Sequence, residues 1–333
     1  MRTQSDYMQQ ALRLGRYGLG ATAPNPAVGC VIVQADGQVV GTGFTQQGGR
    51  PHAEAVALAE AGDAAKGATA YVTLEPCAHI GETPACAQSL IAAGIAKVIY
   101  ALADPDPRVN GGGAAMLEAA GIKLEQGLCE TQARADQLGF LLKVTKARPM
   151  VTLKIATSAN GFMRTPEGEA PWITGSQARL MGHRLRATHD AIITGSGTLL
   201  ADDPSLDCRL PGLADSSPVP VVMSKNALPE NCKLAKRDNV IVTDATPEVI
   251  LADLATRGMT RVLLECGPTL AAAFLAADLV DELAHFTTPH ELAMTGESDI
   301  SLMKLDMQHF EEVAAYRAGP DLYTHYRRIG DRI

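Results

Sequence analysis

Aromatic residues are scarce in this chain, 4% of 333 residues with a single Trp, so its cores must be aliphatic and alanine-rich. Positive charge is also short: 29 Lys and Arg against 37 Asp and Glu leave a net charge of −8. That balance excludes the basic footprint of a nucleic-acid binder, so an anionic ligand has to be met by a local pocket. No apolar run reaches the roughly 18 residues of a membrane span, and Met1-Arg2-Thr3-Gln4-Ser5-Asp6 lacks the apolar core of a signal peptide. The seven cysteines are odd in number and dispersed, which argues against a disulfide framework and for the reducing cytoplasm. There is no internal repeat and no low-complexity segment.

What is present is apolar bulk in regular alternation. Hydrophobic residues at 46% suffice for two cores, and the length suggests two domains. Periodicity and turn residues predict helices over 5–19, 53–61, 85–93, 113–120 and 130–146, and strands over 28–33, 39–44, 69–74, 97–102 and 122–125. Arg148-Pro149 then punctuates the chain, placing a boundary near 146–149. Beyond it, strands over 150–157, 191–194, 219–223, 240–243, 262–265, 282–287 and 322–328 alternate with helices over 176–187, 247–257 and 269–277. Such alternation implies α/β units with mixed sheets covered on both faces. Helix 130–146 is expected to bury Leu138, Leu141 and Leu142 against the second half.

One stretch names a chemistry. His52-Ala53-Glu54 is followed by Pro76-Cys77 and, after eight intervening residues, by Cys86. One His and two Cys hold zinc with an open fourth position, as a catalytic site requires. Glu54 stands near enough to move protons on a zinc-bound water without being a ligand. His-x-Glu with Pro-Cys and a second Cys is the pattern of zinc-dependent deaminases of amino-substituted nitrogen rings. A structural zinc would need a fourth ligand, for which His79 is the nearby candidate, and a Cys77–Cys86 disulfide would leave His-x-Glu unexplained. Upstream, Asn25 in Pro24-Asn25-Pro26 is either a presented amide or a turn residue.

The second half is less explicit on local sequence. Gly195-Ser196-Gly197-Thr198 after a strand, and Glu265-Cys266-Gly267-Pro268-Thr269 opening a helix, suit a phosphate or pyrophosphate. Each is equally an ordinary turn.

Taken together, Ala23-Pro24-Asn25-Pro26-Ala27-Val28-Gly29, Pro51-His52-Ala53-Glu54, Val72-Thr73-Leu74-Glu75-Pro76-Cys77-Ala78-His79 and Thr83-Pro84-Ala85-Cys86 resemble the bacterial bifunctional riboflavin-biosynthesis deaminase/reductase family. The reductase half of that family resembles the stretches starting at Leu153, Trp172, Gly195 and Glu265. The resemblance implies a cytidine-deaminase-like three-layer α/β/α domain over 1–147 and a dihydrofolate-reductase-like α/β domain over 148–333. It implies zinc on His52, Cys77 and Cys86, Glu54 as the catalytic residue, and Asn25 and His79 at the deaminase substrate. For NADPH it implies Ala156, Trp172, Thr198, Asp202, Ser224 and the run Gly267, Pro268, Thr269, Leu270, Ala271, Ala272 and Ala273. Lys154, Ala170, Arg186, Leu206, Arg209 and Glu265 fall at reductase substrate positions, with the two arginines on the phosphate. The implied partners are small pyrimidine ribosyl phosphates, with no nucleic acid and no membrane, in a homo-oligomer. Thr45, Glu82, Asp106, Asn160 and Ala170 depart from the family pattern at substrate-contacting positions; Arg50 or Arg108 is the expected replacement cation. Rival readings are a deaminase of another base, including one in tRNA, and a zinc-stabilised binding module. The net charge of −8 opposes the tRNA reading, and an intact Glu54 opposes the binding module.

Overall fold

The computed structural model describes residues 2–78, 84–166, 172–330 and 333. The chain divides into two compact units, Met1–Lys146 with Ile333, and Ala147–Arg332. In the first unit the order is α1 (Gln4–Gly15), β1 (Gly29–Val33), β2 (Val39–Phe44), α2 (Ala53–Ala61), β3 (Thr69–Val72), α3 (Cys86–Ala92), β4 (Lys97–Tyr100), α4 (Gly112–Ala119), β5 (Lys123–Gln126), α5 (Glu130–Asp136) and α6 (Leu138–Lys146). The five strands form one sheet in the order β2-β1-β3-β4-β5. The β1–β2 and β1–β3 pairs are antiparallel, and β3, β4 and β5 run parallel.

Glycines show how helices reach both faces of this sheet. A Cβ on Gly29 would lie 1.9 Å from the Ala11 carbonyl of α1. On Gly41 and Gly43 it would lie 2.2 Å from the Ala57 and Ala53 carbonyls of α2. Gly43 pairs with Cys30 and Gly41 with Ile32, whereas Gly29 pairs with Phe44; side chains alternate along a strand, so α1 and α2 cover opposite faces. The unit is therefore the three-layer α/β/α sandwich that the resemblance implied.

Two helices differ from the periodicity reading. The first stops at Gly15, whose Cβ would meet the Ala27 carbonyl at 2.8 Å, and continues as a short 3₁₀ turn. The expected helix 130–146 is two helices separated at Gln137, whose buried side-chain amide donates to the Ala27 carbonyl at 2.7 Å. Phe140 and Leu141 join the first unit's own core, which corrects the expectation for Leu141.

The second unit contains β6 (Met150–Thr157), α7 (Ser176–Ala187), β7 (Ala191–Gly195), α8 (Ser196–Asp202), β8 (Val219–Met223), β9 (Ile241–Thr243), α9 (Pro247–Thr256), β10 (Arg261–Leu264), α10 (Pro268–Ala276), β11 (Glu282–Thr287), α11 (Asp299–Leu302), β12 (Phe310–Ala318) and β13 (Asp321–Arg328). Its sheet runs β12-β13-β11-β6-β10-β7-β8-β9, parallel from β11 to β9 and antiparallel at β13 and β12. Ile193, Val221 and Leu264 pack with α9 and α10 residues, while Ile192, Val222 and Leu263 pack with Leu199 of α8, so both faces are covered. The parallel strands β6, β10, β7 and β8 end side by side. In open α/β sheets the carboxyl edge is where ligands bind.

Candidate active sites

The zinc-ligand candidates come from three chain segments. His52 is the N-cap of α2, in extended conformation, and puts Glu54 in the first helical turn. Cys77 follows β3, and Cys86 is the first residue of α3. The Nδ1 of His52 lies 3.2 Å from Cys86 Sγ and 3.7 Å from Cys77 Sγ, and all three donor atoms fall within 4.8 Å of one another. A tetrahedral zinc, with bonds of about 2.3 Å to sulfur and about 2.0–2.1 Å to nitrogen, sets N and S about 3.6 Å apart. The donor set fits the metal, and among the described residues the group has three members.

The two thiols are tightly coupled. The Cys86 hydrogen bond is the main influence that pulls the Cys77 thiol down to about 4; His52 and the Cys86 backbone N–H, 3.3 Å from the sulfur, add to it. Cys77 in turn pushes the Cys86 thiol up, with burial adding to the effect. Glu54 is 4% exposed, and burial, helped by the Cys77 sulfur, raises its carboxyl to about 7.

His52, Glu54 and Cys77 share a cavity of about 100 Å³ with Asn25, Thr45, Arg50, Glu75, Asp104, Asp106, Arg108 and Phe140. Asn25 is fixed by its Nδ2, which donates to the Gly49 carbonyl at 3.0 Å, and a Cβ on Gly49 would strike that nitrogen. The Thr45 hydroxyl accepts from the Val28 N–H at 3.0 Å. Arg108 grips Asp106 through Nε at 3.0 Å and Nη2 at 2.5 Å. Both arginines proposed as replacement cations therefore reach the wall of this cavity, Arg108 with a carboxylate attached.

Two wall residues were not singled out from sequence. Buried Glu75 accepts backbone N–H groups of Ala114 at 3.1 Å, Gly111 at 3.2 Å and Asp104 at 3.4 Å. Asp104 is buried beside Asp106 and Glu75; burial first, then those two charges, raise its carboxyl to about 6. The available signal was a carboxylate at the end of an apolar strand, but its backbone partners lie 29 to 39 residues away.

In the second unit Lys154, Arg186 and Glu265 meet. Arg186 donates from Nε and Nη2 to the two Glu265 oxygens at 2.9 and 3.0 Å, and Lys154 Nζ stands 4.0 Å from Oε2. Burial alone would raise the Glu265 carboxyl; the Arg186 and Lys154 charges outweigh it and hold it at about 2. Arg186 Nη1 also donates to the Asp207 carbonyl at 3.0 Å, which ties in the segment bearing buried Leu206 and exposed Arg209.

Of the residues assigned to NADPH, Ala156, Thr198, Ser224 and Gly267 lie at or just beyond the carboxyl ends of β6, β7, β8 and β10. Gly267 caps α10, with Pro268 in the first turn, and a Cβ on it would meet Thr198 Oγ1 at 3.9 Å. A Cβ on Gly195 would meet Leu270 Cδ2 at 3.4 Å. Small residues and first-turn N–H groups without intrahelical acceptors fit a phosphate-bearing cofactor. Further along the run, Ala271 is in the core, whereas Ala273 is exposed and Ala272 intermediate. Ser224 follows β8, its hydroxyl engaged with the Asn226 carbonyl at 2.9 Å. Asp202 ends α8, Ala156 packs beside Phe286, and Trp172 is 63% exposed with the Arg179 guanidinium 4.8 Å above its ring. His79, Glu82 and Ala170 lie outside the described residues.

Comparison with known proteins accounts for both units. Residues 1–102 match the cytidine and deoxycytidylate deaminase zinc-binding region, and residues 149–322 match the RibD C-terminal domain. Riboflavin biosynthesis protein RibD of Escherichia coli (strain K12) is 37% identical over 359 residues, covering 96% of this chain and 98% of its own. The Mycobacterium tuberculosis protein of the same name (strain ATCC 25618 / H37Rv) is 40% identical over 311 residues, covering 91% of each. Among solved structures, Acinetobacter baumannii RibD (form 1) superposes with a TM-score of 0.88 at 36% identity, covering 98% of this chain and 99% of that one. A Thermotoga maritima diaminohydroxyphosphoribosylaminopyrimidine deaminase/5-amino-6-(5-phosphoribosylamino)uracil reductase gives 0.85 at 30% identity, covering 98% of each chain. With identities of this size over nearly the whole length, the chain belongs to the RibD family of bifunctional riboflavin-biosynthesis enzymes, in which a zinc-dependent deaminase is joined to an NADPH-dependent reductase.

Proposed function

We propose that residues 1–147 hydrolytically deaminate 2,5-diamino-6-(5-phosphoribosylamino)pyrimidin-4-one at ring carbon 2, and that residues 148–333 reduce the ribosyl side chain of the deaminated product to ribityl. The convergence of the His52, Cys77 and Cys86 donor atoms, two of those residues lining the small cavity that also holds Glu54, carries this reading. Zinc held by those three ligands would supply a Lewis acid able to lower the pKa of water from 15.7 to about 7. Glu54 takes a proton from the water whose oxygen bonds to ring carbon 2 and passes it to the adjacent ring nitrogen; it then moves the remaining hydroxyl proton to the amine, the C–N bond breaks, and ammonia leaves. The cavity walls at Asn25, Thr45 and Asp106 orient the ring, and Arg50 and Arg108 are the cations for its phosphate arm.

NADPH supplies the hydride for the second step. The α10 N-terminus, Thr198 and Ser224 would hold the cofactor at the sheet edge, and the protein's task is to position it. Arg186 gives three N–H groups to Glu265 and Asp207. A guanidinium has five, so two remain for a substrate phosphate, alongside exposed Arg209. Lys154 stands beside Glu265, where its ammonium polarises the reacting group.

Thiolate ligands call for a reducing compartment, so the cytoplasm is the proposed location; no helix among the described residues is long and apolar enough to cross a membrane. A homo-oligomer is part of the same proposal, and light scattering measures it directly. Mass spectrometry of the product made from the diaminopyrimidine phosphate tests the chemistry. Replacement of one amine by oxygen is expected without NADPH, and a further gain of two hydrogens with it. Deamination of a free nucleobase in preference to the phosphate would favour the rival substrate.

A further inference from the structure

His183 lies on α7, one turn before Arg186, and touches the segment that carries Leu206 and Arg209. Its Nε2 stands 3.3 Å from Arg209 Nε, and its Nδ1 stands 3.2 Å from the Asp207 carbonyl oxygen. Arginine nitrogens only donate, so Nε2 has to be the unprotonated acceptor. The ring proton is then on Nδ1, where the Asp207 carbonyl accepts it; the Arg209 backbone N–H, 3.3 Å from the same Nδ1, is the competing partner in the other tautomer. That carbonyl also accepts from Arg186 Nη1 at 3.0 Å, so one neutral imidazole and one carbonyl couple both arginines.

We propose that neutral His183 is a positioning residue of the reductase, holding Arg209 beside Arg186 so that the pair receives the anionic end of the substrate. The inference rests on the reading above that these arginines bind the phosphate. Arg209 needs such a partner, because its side chain is 64% exposed and its carboxylate neighbour, Asp207, is 3.6 Å away. Ser205 already donates to that carboxylate at 2.5 Å. Protonation would turn Nε2 from acceptor into donor and set a third cation against Arg186 and Arg209. The charged groups facing the ring are Arg186 on its own helix, and Arg209 and Asp207 from the facing segment; burial first, then the two arginines, keep the imidazole below its ordinary 6.5. Loss of the contact therefore occurs as pH falls below 6.5.

The test is reductase kinetics on the full-length enzyme with saturating NADPH and 5-amino-6-(5-phosphoribosylamino)uracil, between about pH 8 and about pH 5. In the wild type, KM for this substrate should rise about tenfold towards the acid end while kcat stays nearly level, the effect of one charge-assisted hydrogen bond. His183→Gln, whose amide both accepts and donates, should keep the low KM and flatten the acid rise. Because both enzymes meet the same substrate, titration of its phosphate cancels in the comparison. His183→Ala should raise KM at every pH and leave KM for NADPH unchanged. An acid rise that persists in His183→Gln, or a KM that falls with acid in the wild type alone, overturns the inference. Arg209→Ala separates the two levels. If it leaves KM unchanged, the phosphate reading fails. If it raises KM while the His183 variants behave as wild type, only the positioning role fails.

Discussion

Glu54 is a buried carboxylate in the first turn of α2, two residues from one ligand candidate and inside the same cavity as another. Glu54→Gln keeps the shape and removes the proton carrier, so deamination should fall by at least ~10², the usual share of general acid–base catalysis. Zinc, measured by atomic absorption, should stay at one per chain; loss of metal would make Glu54 a ligand instead. A second residue-scale prediction concerns His189, whose ring is 1% exposed, with Nδ1 2.6 Å from the Leu185 carbonyl and Nε2 3.0 Å from Thr152 Oγ1. Burial, aided by Arg261, depresses it to about 3, against an ordinary value of 6.5. In that window the unfolded chain binds a proton that the native ring refuses. Stability is therefore full above pH 6.5 and declines as pH falls, by up to about 1.4 kcal/mol per pH unit. Glu265 and Glu282, both held at about 2 against an ordinary 4.5, add their own losses only below that value. Urea titrations between pH 6.5 and 4.5 should give a shallower pH slope for His189→Gln than for the wild type. An unchanged slope would assign the proton to another group.

Elements hold the site through close backbone approach. A Cβ on Gly113, near the start of α4, would fall 1.8 Å from the Pro76 carbonyl, one residue before Cys77. Gly113→Ala must push α4 away from that loop, an overpacking that typically costs about 1–3 kcal/mol. Zinc content and deamination should drop together, deamination by about tenfold or more, while reduction continues. Equal loss of both activities would mean global unfolding rather than a displaced ligand. The same scale explains what the sequence displayed and what it concealed. Strands such as β7 and β10 are apolar runs buried on both faces, and they read directly as strands. Edge strand β12 did not, because Glu311, Glu312 and Val313 are exposed and its hydrogen bonds are to β13 alone. Helix α8 was hidden behind Gly195 and Gly197, which read as a turn, and the break at Gln137 depends on a carbonyl 110 residues away. The zinc-ligand candidates were legible because the chemistry fixes residue types at short spacing. Glu75 and His183 act through partners distant in sequence, and no local pattern marks them.

At the scale of the molecule, the two units invite separation at Arg148-Pro149. Each has its own sheet and core, and the first keeps Phe140 and Leu141 of α6 in its interior. Residues 1–147 contain His52, Glu54, Cys77 and Cys86; residues 148–333 contain every position assigned to NADPH. A domain of about 150 residues hides about 68–70% of its unfolded surface, enough to fold alone. The N-terminal fragment gives up one identified partner, Ile333, which packs on the first unit's core. Loss of one partly buried aliphatic contact, about 1 kcal/mol, should lower its melting temperature by about 2–4 °C. We expect the N-terminal fragment to bind zinc and deaminate without NADPH, and the C-terminal fragment to reduce substrate that has already been deaminated. Separate assays of the purified fragments, then of their mixture, check this. A first fragment that folds and holds zinc, yet deaminates only when the second is added back, would show that the deaminase site is completed by residues beyond 147, and the assignment of one activity to each unit would have to be abandoned.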